Sequence, residues 1–116
     1  NMKKFLYLII ITLFFSCKSE GELAMERGIQ YFDWQKYEDA VLEFNKAKYL
    51  QLIHGDESYE NLKLLAQTHY NLAITHAKLG NMMKANEEAN RAFTLIPKPE
   101  YQELLKLIYE QQKGSK

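Results

Sequence analysis

The sequence predicts an all-α protein of stacked helical hairpins, and three observations carry that prediction. One pattern occurs twice, 45 residues apart: Gly28, Tyr31, Tyr37, Ala40, Phe44 and Ala47 return as Ala73, His76, Met82, Ala85, Ala89 and Ala92 in a single register. Small residues return where two helices must approach closely, and larger ones return between them, which is how a repeated helical hairpin is built. The only prolines are Pro97 and Pro99, so few helix breakers stand between Gly28 and that point. Apolar residues also recur at helical spacing along the chain. A repeat of this kind presents a surface rather than a reaction centre.

Taken in order, a short solvated stretch, Lys18-Ser19-Glu20-Gly21, precedes the first helix. That helix is expected from about Glu22 to Trp34, with Ala24, Gly28 and Tyr31 on one side and Met25, Ile29 and Phe32 on another. The second starts near Tyr37 and runs to about Ile53, striped by Ala40, Val41, Phe44, Ala47 and Leu50. His54-Gly55-Asp56 breaks the chain, and Asp56 or Ser58 can cap the long third helix, which reaches Leu79. Gly80-Asn81 makes a turn, and the fourth helix runs from about Met83 to Leu95. Pro97 and Pro99 stop it and open a fifth, from Glu100 to about Gln112. Tyr101, Leu104, Leu105 and Ile108 fall at i, i+3, i+4 and i+7 of that last helix, an apolar stripe backed by a polar side that suits a solvating cap. Leu107 and Tyr109 widen the stripe and leave room for self-association.

Ahead of these helices, Lys3 and Lys4 precede an apolar run from Phe5 to Phe15, followed by Ser16 and Cys17. Eleven residues of helix span roughly 16 Å, about half of a bilayer's hydrocarbon core, so the run is short for a membrane anchor and reads as a secretory signal. Cys17 is the only cysteine, which excludes an internal disulfide framework. Phe14-Phe15-Ser16-Cys17 resembles the lipobox of bacterial lipoproteins, departing from it at Phe14 and Phe15, where aliphatic and small residues are usual. The resemblance implies residues 1–16 as signal peptide, Cys17 as the lipidated first mature residue and residues 17–21 as a tether. A cut after Ser19 is the competing route. Lys18, rather than aspartate, follows the cysteine, which favours the outer over the inner membrane.

Removing residues 1–16 takes away Lys3 and Lys4 and leaves 13 basic against 15 acidic residues, a net charge near −2 with both signs mixed along the helices. No basic patch survives, so nucleic acid is an improbable partner, and electrostatic attachment to anionic lipid is unsupported.

The hairpins resemble tetratricopeptide repeats. The second copy carries Tyr70-Asn71-Leu72-Ala73, Ala77-Lys78-Leu79-Gly80-Asn81, Ala85, Ala92-Phe93, Leu95 and Pro97, and departs at His69, His76 and Ala89. The first carries Gly28, Tyr31, Tyr37, Ala40, Phe44 and Ala47, and departs at Ala24, Arg27 and Gln35, with no closing proline. The implied fold is two tetratricopeptide hairpins, about residues 21–54 and 66–99, forming a short right-handed α-solenoid with a capping helix at 100–112, all within a domain of residues 22–116. Family repeats recur about every 34 residues. The interval of 45 therefore inserts 11 residues between Ala47 and Tyr70. That is nearly three whole turns at about 3.6 residues per turn, so the second and third helices can lengthen with their buried faces in phase. Tyr49, Leu50, Leu52, Ile53, Tyr59, Leu62, Leu64 and Leu65 supply apolar material, either for a longer local core or for a lip that grips a ligand.

In the family, ligands lie against the concave surface made by the first helix of each hairpin. By register that surface holds Glu22, Met25, Ile29, Phe32 and Asp33, then Gln67, Tyr70, Asn71, Ile74 and Lys78. Met25, Ile29, Phe32, Tyr70, Asn71, Ile74 and Lys78 are the candidate partner contacts. Only Asn71 matches the members that clamp a C-terminal carboxylate, so a groove for an amphipathic helix or extended apolar segment fits better. The alternative is that these side chains pack on the domain's own cap or tether.

No catalytic, cofactor or metal site is expected. His69 and His76 lie about 10 Å apart by helical rise, too far to share a metal alone, and both sit where the repeat packs a large side chain. His54 reads as a helix-end residue, and Trp34 as a wedge at the first turn. Glu38-Asp39 and Glu87-Glu88 stand near the starts of second helices, where negative charge suits the macrodipole. The eight tyrosines read as packing. These features point to a membrane-anchored, non-catalytic protein-binding adaptor of a bacterial cell envelope. A self-assembling structural subunit, such as a homo-oligomer, and a periplasmic chaperone are the alternatives.

Overall fold

Ser19 decides where the first helix starts. In the computed structural model, which describes residues 2–4 and 18–114, Ser19 adopts an extended backbone and its hydroxyl accepts the Glu22 N–H at 3.2 Å. An oxygen side chain in that position satisfies one of the free N–H groups of a first turn. Helix α1 (Glu20–Asp33) therefore begins two residues before the expected point. Gly21 is buried against the Leu50 and Gln51 side chains, so residues 20 and 21 belong to the helix and not to a solvated tether. The apolar run from Phe5 to Phe15 and the lipidation candidate Cys17 lie outside the described residues.

Helix α2 (Tyr37–His54) and helix α3 (Tyr59–Lys78) follow, separated by a short turn in which the Ser58 hydroxyl accepts the Asn61 N–H at 3.2 Å. Helix α4 (Met82–Leu95) and helix α5 (Pro99–Gly114) complete the chain, α5 opening on the proline whose missing N–H costs nothing at a first helical position. Among the described residues no helix is long and apolar enough to cross a membrane.

Helix α1 packs on α2 and α3 on α4 as antiparallel hairpins, α2 leans on α3, and α5 covers α4. This is the all-α, tetratricopeptide-like solenoid expected from the repeat. Its helix crossings are small: Ala24, Ala40 and Ala47 surround Phe44 in the first hairpin, and Ala73, Ala85 and Ala89 meet Ile108 of α5 in the second. Tyr101 and Ile108 are buried with Leu104 and Leu105 half-covered, so α5 caps the open face as its stripe predicts.

The 11 inserted residues lengthen α2 to 18 and α3 to 20 residues, against 14 in α1 and in α4. Only part of the added apolar surface becomes core. Leu65 is buried and Leu50, Leu62 and Leu64 are half-buried, while Tyr49, Leu52, Ile53 and Tyr59 face solvent.

Candidate protein-interaction surface

Helices α1 and α3, which the resemblance assigns to a concave face, lie side by side in the same direction. What joins them is Met25. Only 6% of it is exposed, and its sulfur accepts the Asn71 Nδ2–H at 3.3 Å and lies 3.7 Å from Thr68 Oγ1. A thioether on a flexible stem fills an irregular gap between two helices, which is what it does here. Met25, a candidate partner contact, is thus placed in the interior, with Asn71 engaged in holding it.

The other expected contacts divide in two. Phe32 packs on the first core and meets Tyr37 edge to face, with ring centres 5.2 Å apart. Tyr70 lies against Tyr101 of α5 at 4.9 Å, so the cap covers much of it, and burial raises its phenol pKa, with the Glu100 charge adding to the shift. Ile29 is 44% exposed, Ile74 is half-buried and Lys78 is exposed. Ile29, Ile74 and Lys78 are thus the side chains that α1 and α3 offer outward, with the Phe32 ring beside them.

Toward the other end of the same two helices, the lengthened hairpin encloses a cleft of about 680 Å³. Glu22 of α1 and Gln67 of α3, both expected on the concave face, line it together with Gln51, His54, Asn61 and Lys63. The surface offered by α1 and α3 therefore runs from Ile29 and Ile74 into a cleft whose polar side chains stand beside the apolar flanks of Leu50 and Leu64. The insertion makes this cleft, and register arithmetic alone did not show it, because a cleft depends on how far α2 and α3 project beyond the start of α1.

Buried polar groups sit behind this face. Thr68 Oγ1 is 2.9 Å from the Leu64 carbonyl and 3.0 Å from Gln51 Oε1. His69 Nδ1 is 2.5 Å from Glu88 Oε2, and Lys48 approaches the other carboxylate oxygen at 3.9 Å. Burial pushes the Glu88 carboxyl up, but the His69 hydrogen bond and charge, with Lys48 and Arg91, outweigh it and leave the group below the ordinary carboxylate value. Glu88 is thus no first-turn charge. The first turn of α4 holds no acidic residue, whereas Glu38 and Asp39 do occupy the first turn of α2. His76 is also buried, and burial, then the charges of Lys84 and Lys48 acting against that of Glu88, lowers its pKa. Both histidines are core residues. Trp34 caps α1 mostly exposed, edge-on to Tyr31 at 6.1 Å.

No family model matches the chain. Over 80 residues it is 32% identical to the peptidyl-prolyl cis-trans isomerase FKBP4 of Mus musculus, covering 66% of this chain and 18% of that protein. Against FKBP4 of Homo sapiens the identity is 31% over 80 residues, with 66% and 17% covered. The chain spans less than a fifth of the length of these relatives. The similarity agrees with tetratricopeptide-like helical repeats of the kind that bind proteins.

Proposed function

We propose that this chain is a membrane-anchored, non-catalytic adaptor of a bacterial cell envelope that takes a partner protein segment along its concave face. The observation that carries the reading is the continuity of that face, from exposed Ile29 and half-buried Ile74 at one end to the Glu22–Gln67 cleft at the other. An amphipathic helix or extended segment fits it, with an apolar anchor at the isoleucines, an acidic group near Lys78 and a mixed polar and apolar end in the cleft, where Leu50 and Leu64 stand beside Gln51 and Gln67. The isomerase activity in the relatives' name stays with them, since the segment shared with this chain is a small fraction of each. Anchoring at Cys17 is supported by Lys3 and Lys4, the apolar run and Ser16-Cys17. Lys18 supports the outer membrane.

The test is cross-linked affinity capture from native membranes with wild type and Ile29→Asp. Ile29 is exposed, so the variant is expected to keep its helical content and melting temperature. One distinct protein enriched with wild type and lost with the variant supports the adaptor. Recovery of the chain alone, unchanged by the substitution, would overturn it in favour of a self-assembling subunit. Cys17→Ser is expected to move the protein from the membrane fraction to the soluble one.

A further inference from the structure

Helices α2 and α4 hold the same place in their hairpins, and α2 exposes the more apolar outer face. By the 45-residue register Leu42 corresponds to Glu87, Lys46 to Arg91 and Tyr49 to Thr94. On α4 this outer face carries Glu87, Arg91 and Thr94 after an exposed Met83, and Arg91 donates to Glu87 at 3.2 Å across one turn. On α2 it is mostly apolar around the exposed Lys46: Leu42 is 68%, Tyr49 63%, Leu52 62% and Ile53 52% exposed. Leu42, Tyr49 and Ile53 stand at i, i+7 and i+11 on one stripe, with Leu52 beside it. Tyr49, Leu52 and Ile53 cluster in the last turns of the helix, with Leu42 two turns away beyond Lys46, and exposed apolar residues grouped in this way mark an interaction site.

Two observations select the occupant. The chain enters the fold beside this helix, because Gly21 packs on Leu50 and Gln51 in the last turns of α2. Cys17 precedes Gly21 by four residues, a reach of roughly 14 Å when extended. A membrane-bound Cys17 therefore holds the end of α2 that carries Tyr49, Leu52 and Ile53 close to the bilayer. The patch is also smaller than the about 800 Å² per partner of a stable complex between two copies. A tethered domain needs less, since the anchor makes a weak second contact intramolecular. Leucine and isoleucine with a tyrosine are the residues of a helix lying in the lipid interface.

We propose that the outer face of α2, formed by Leu42, Tyr49, Leu52 and Ile53, is a membrane-contact surface. It seats on the lipid interface next to the Cys17 anchor and turns the concave face of α1 and α3 toward the aqueous side. This inference rests on the anchoring reading above.

The test uses the full-length lipidated protein in phosphatidylcholine vesicles with brominated acyl chains. Trp34 is the only tryptophan, so Trp34→Phe gives a dark background. Into it go Tyr49→Trp or the register-equivalent Thr94→Trp, both at exposed positions. Emission of the Tyr49→Trp protein is expected to fall at least twofold and shift to the blue, while that of the Thr94→Trp protein stays unchanged. Adding Leu52→Asp to the Tyr49→Trp protein is expected to restore emission; if it does not, the new tryptophan rather than the face makes the contact and the proposal fails. Equal quenching of both proteins, or of neither, while they still float with the vesicles overturns the surface and leaves the anchor standing. A doubled mass under those conditions assigns the face to a second copy. Failure to float overturns the anchoring reading and this proposal with it.

Discussion

The two hairpins share a register and reach the same close approach by opposite means. In the first, Gly28 has no side chain and the Phe44 ring occupies the space, so closely that a Cβ at Gly28 would stand 2.5 Å from it. In the second the same two positions are Ala73 and Ala89, both fully buried. What repeats is the volume available where the helices cross, and either a large residue facing none or two methyl groups can fill it. The comparison predicts unequal sensitivity. Phe44→Ala is expected to lower stability by about 3–5 kcal/mol in denaturant unfolding, because nothing collapses into the void beside a glycine. Ala89→Gly in the second hairpin is expected to lose only about 1 kcal/mol. Gly28→Ala alone is expected to cost about 1–3 kcal/mol by overpacking. Combining it with Phe44→Ala recreates the second hairpin's pair and is expected to cost less than the two single changes summed. Strict additivity would break the account of reciprocal packing.

Below that in size comes the polar difference between the hairpins. Glu43 and Glu88 are register equivalents. Glu43 accepts from Arg27 Nε at 3.0 Å in a partly exposed pair, while Glu88 is buried against His69. Removing one partner of a buried pair leaves the other charge or dipole without compensation. His69→Ala is therefore expected to destabilise by about 3 kcal/mol, and Arg27→Ala by under about 1 kcal/mol, since solvent screens the exposed pair. The pH dependence follows the same division. The folded Glu88 carboxyl titrates below its ordinary 4.5, so its contribution is present above that value and is lost as pH falls through the folded pKa. His76 acts at higher pH. Its folded pKa lies below the ordinary 6.5, so the unfolded chain takes up a proton first and stability begins to fall as pH drops past that value. Melting temperature measured from pH 8 down to about pH 2 is expected to decline in two stages, with His76→Gln removing the earlier one.

Most of the architecture was legible because it depends on spacing. Helix starts at Ser58 and Pro99, the stops before Gly55 and Pro97, and the small residues at the crossings are local signals. The partner-facing residues were less legible, since register gives a direction along a helix and not what lies across from it. Met25 points the way register says, but α3 approaches closely enough for Thr68 and Asn71 to enclose it. Glu88 reads as a solvated first-turn charge until the hairpin closes and sets it against a histidine 19 residues away in the chain. The tyrosines split for the same reason. Tyr101 and half-buried Tyr31, Tyr37 and Tyr70 pack as their spacing implies, whereas Tyr49, Tyr59 and Tyr109 stand on faces that no described helix covers. Periodicity identifies a stripe, and only the packed neighbours decide whether it is core or surface.

The two hairpin turns match in their hydrogen bonds. In the first, Gln35 N donates to the Phe32 carbonyl at 2.9 Å and Lys36 N to Tyr31 at 2.8 Å. In the second, Gly80 N donates to Ala77 at 3.0 Å and Asn81 N to His76 at 2.8 Å. Both turns need a left-handed residue, and φ is 62° at Gln35 and 81° at Gly80. A side chain in that conformation costs about 1 kcal/mol relative to glycine, because Cβ crowds the following carbonyl. A Cβ added at Gly80 meets nothing within 4 Å, so the penalty there is one of backbone conformation alone. Gln35→Gly is expected to stabilise the protein by about 1 kcal/mol, and Gly80→Gln to destabilise it by a similar amount. Making both changes together is expected to return the wild-type midpoint. If Gln35→Gly gives no gain while Gly80→Gln costs the full amount, the Gln35 side chain itself supports the first turn, and the two turns are alike in hydrogen bonding but not in energy.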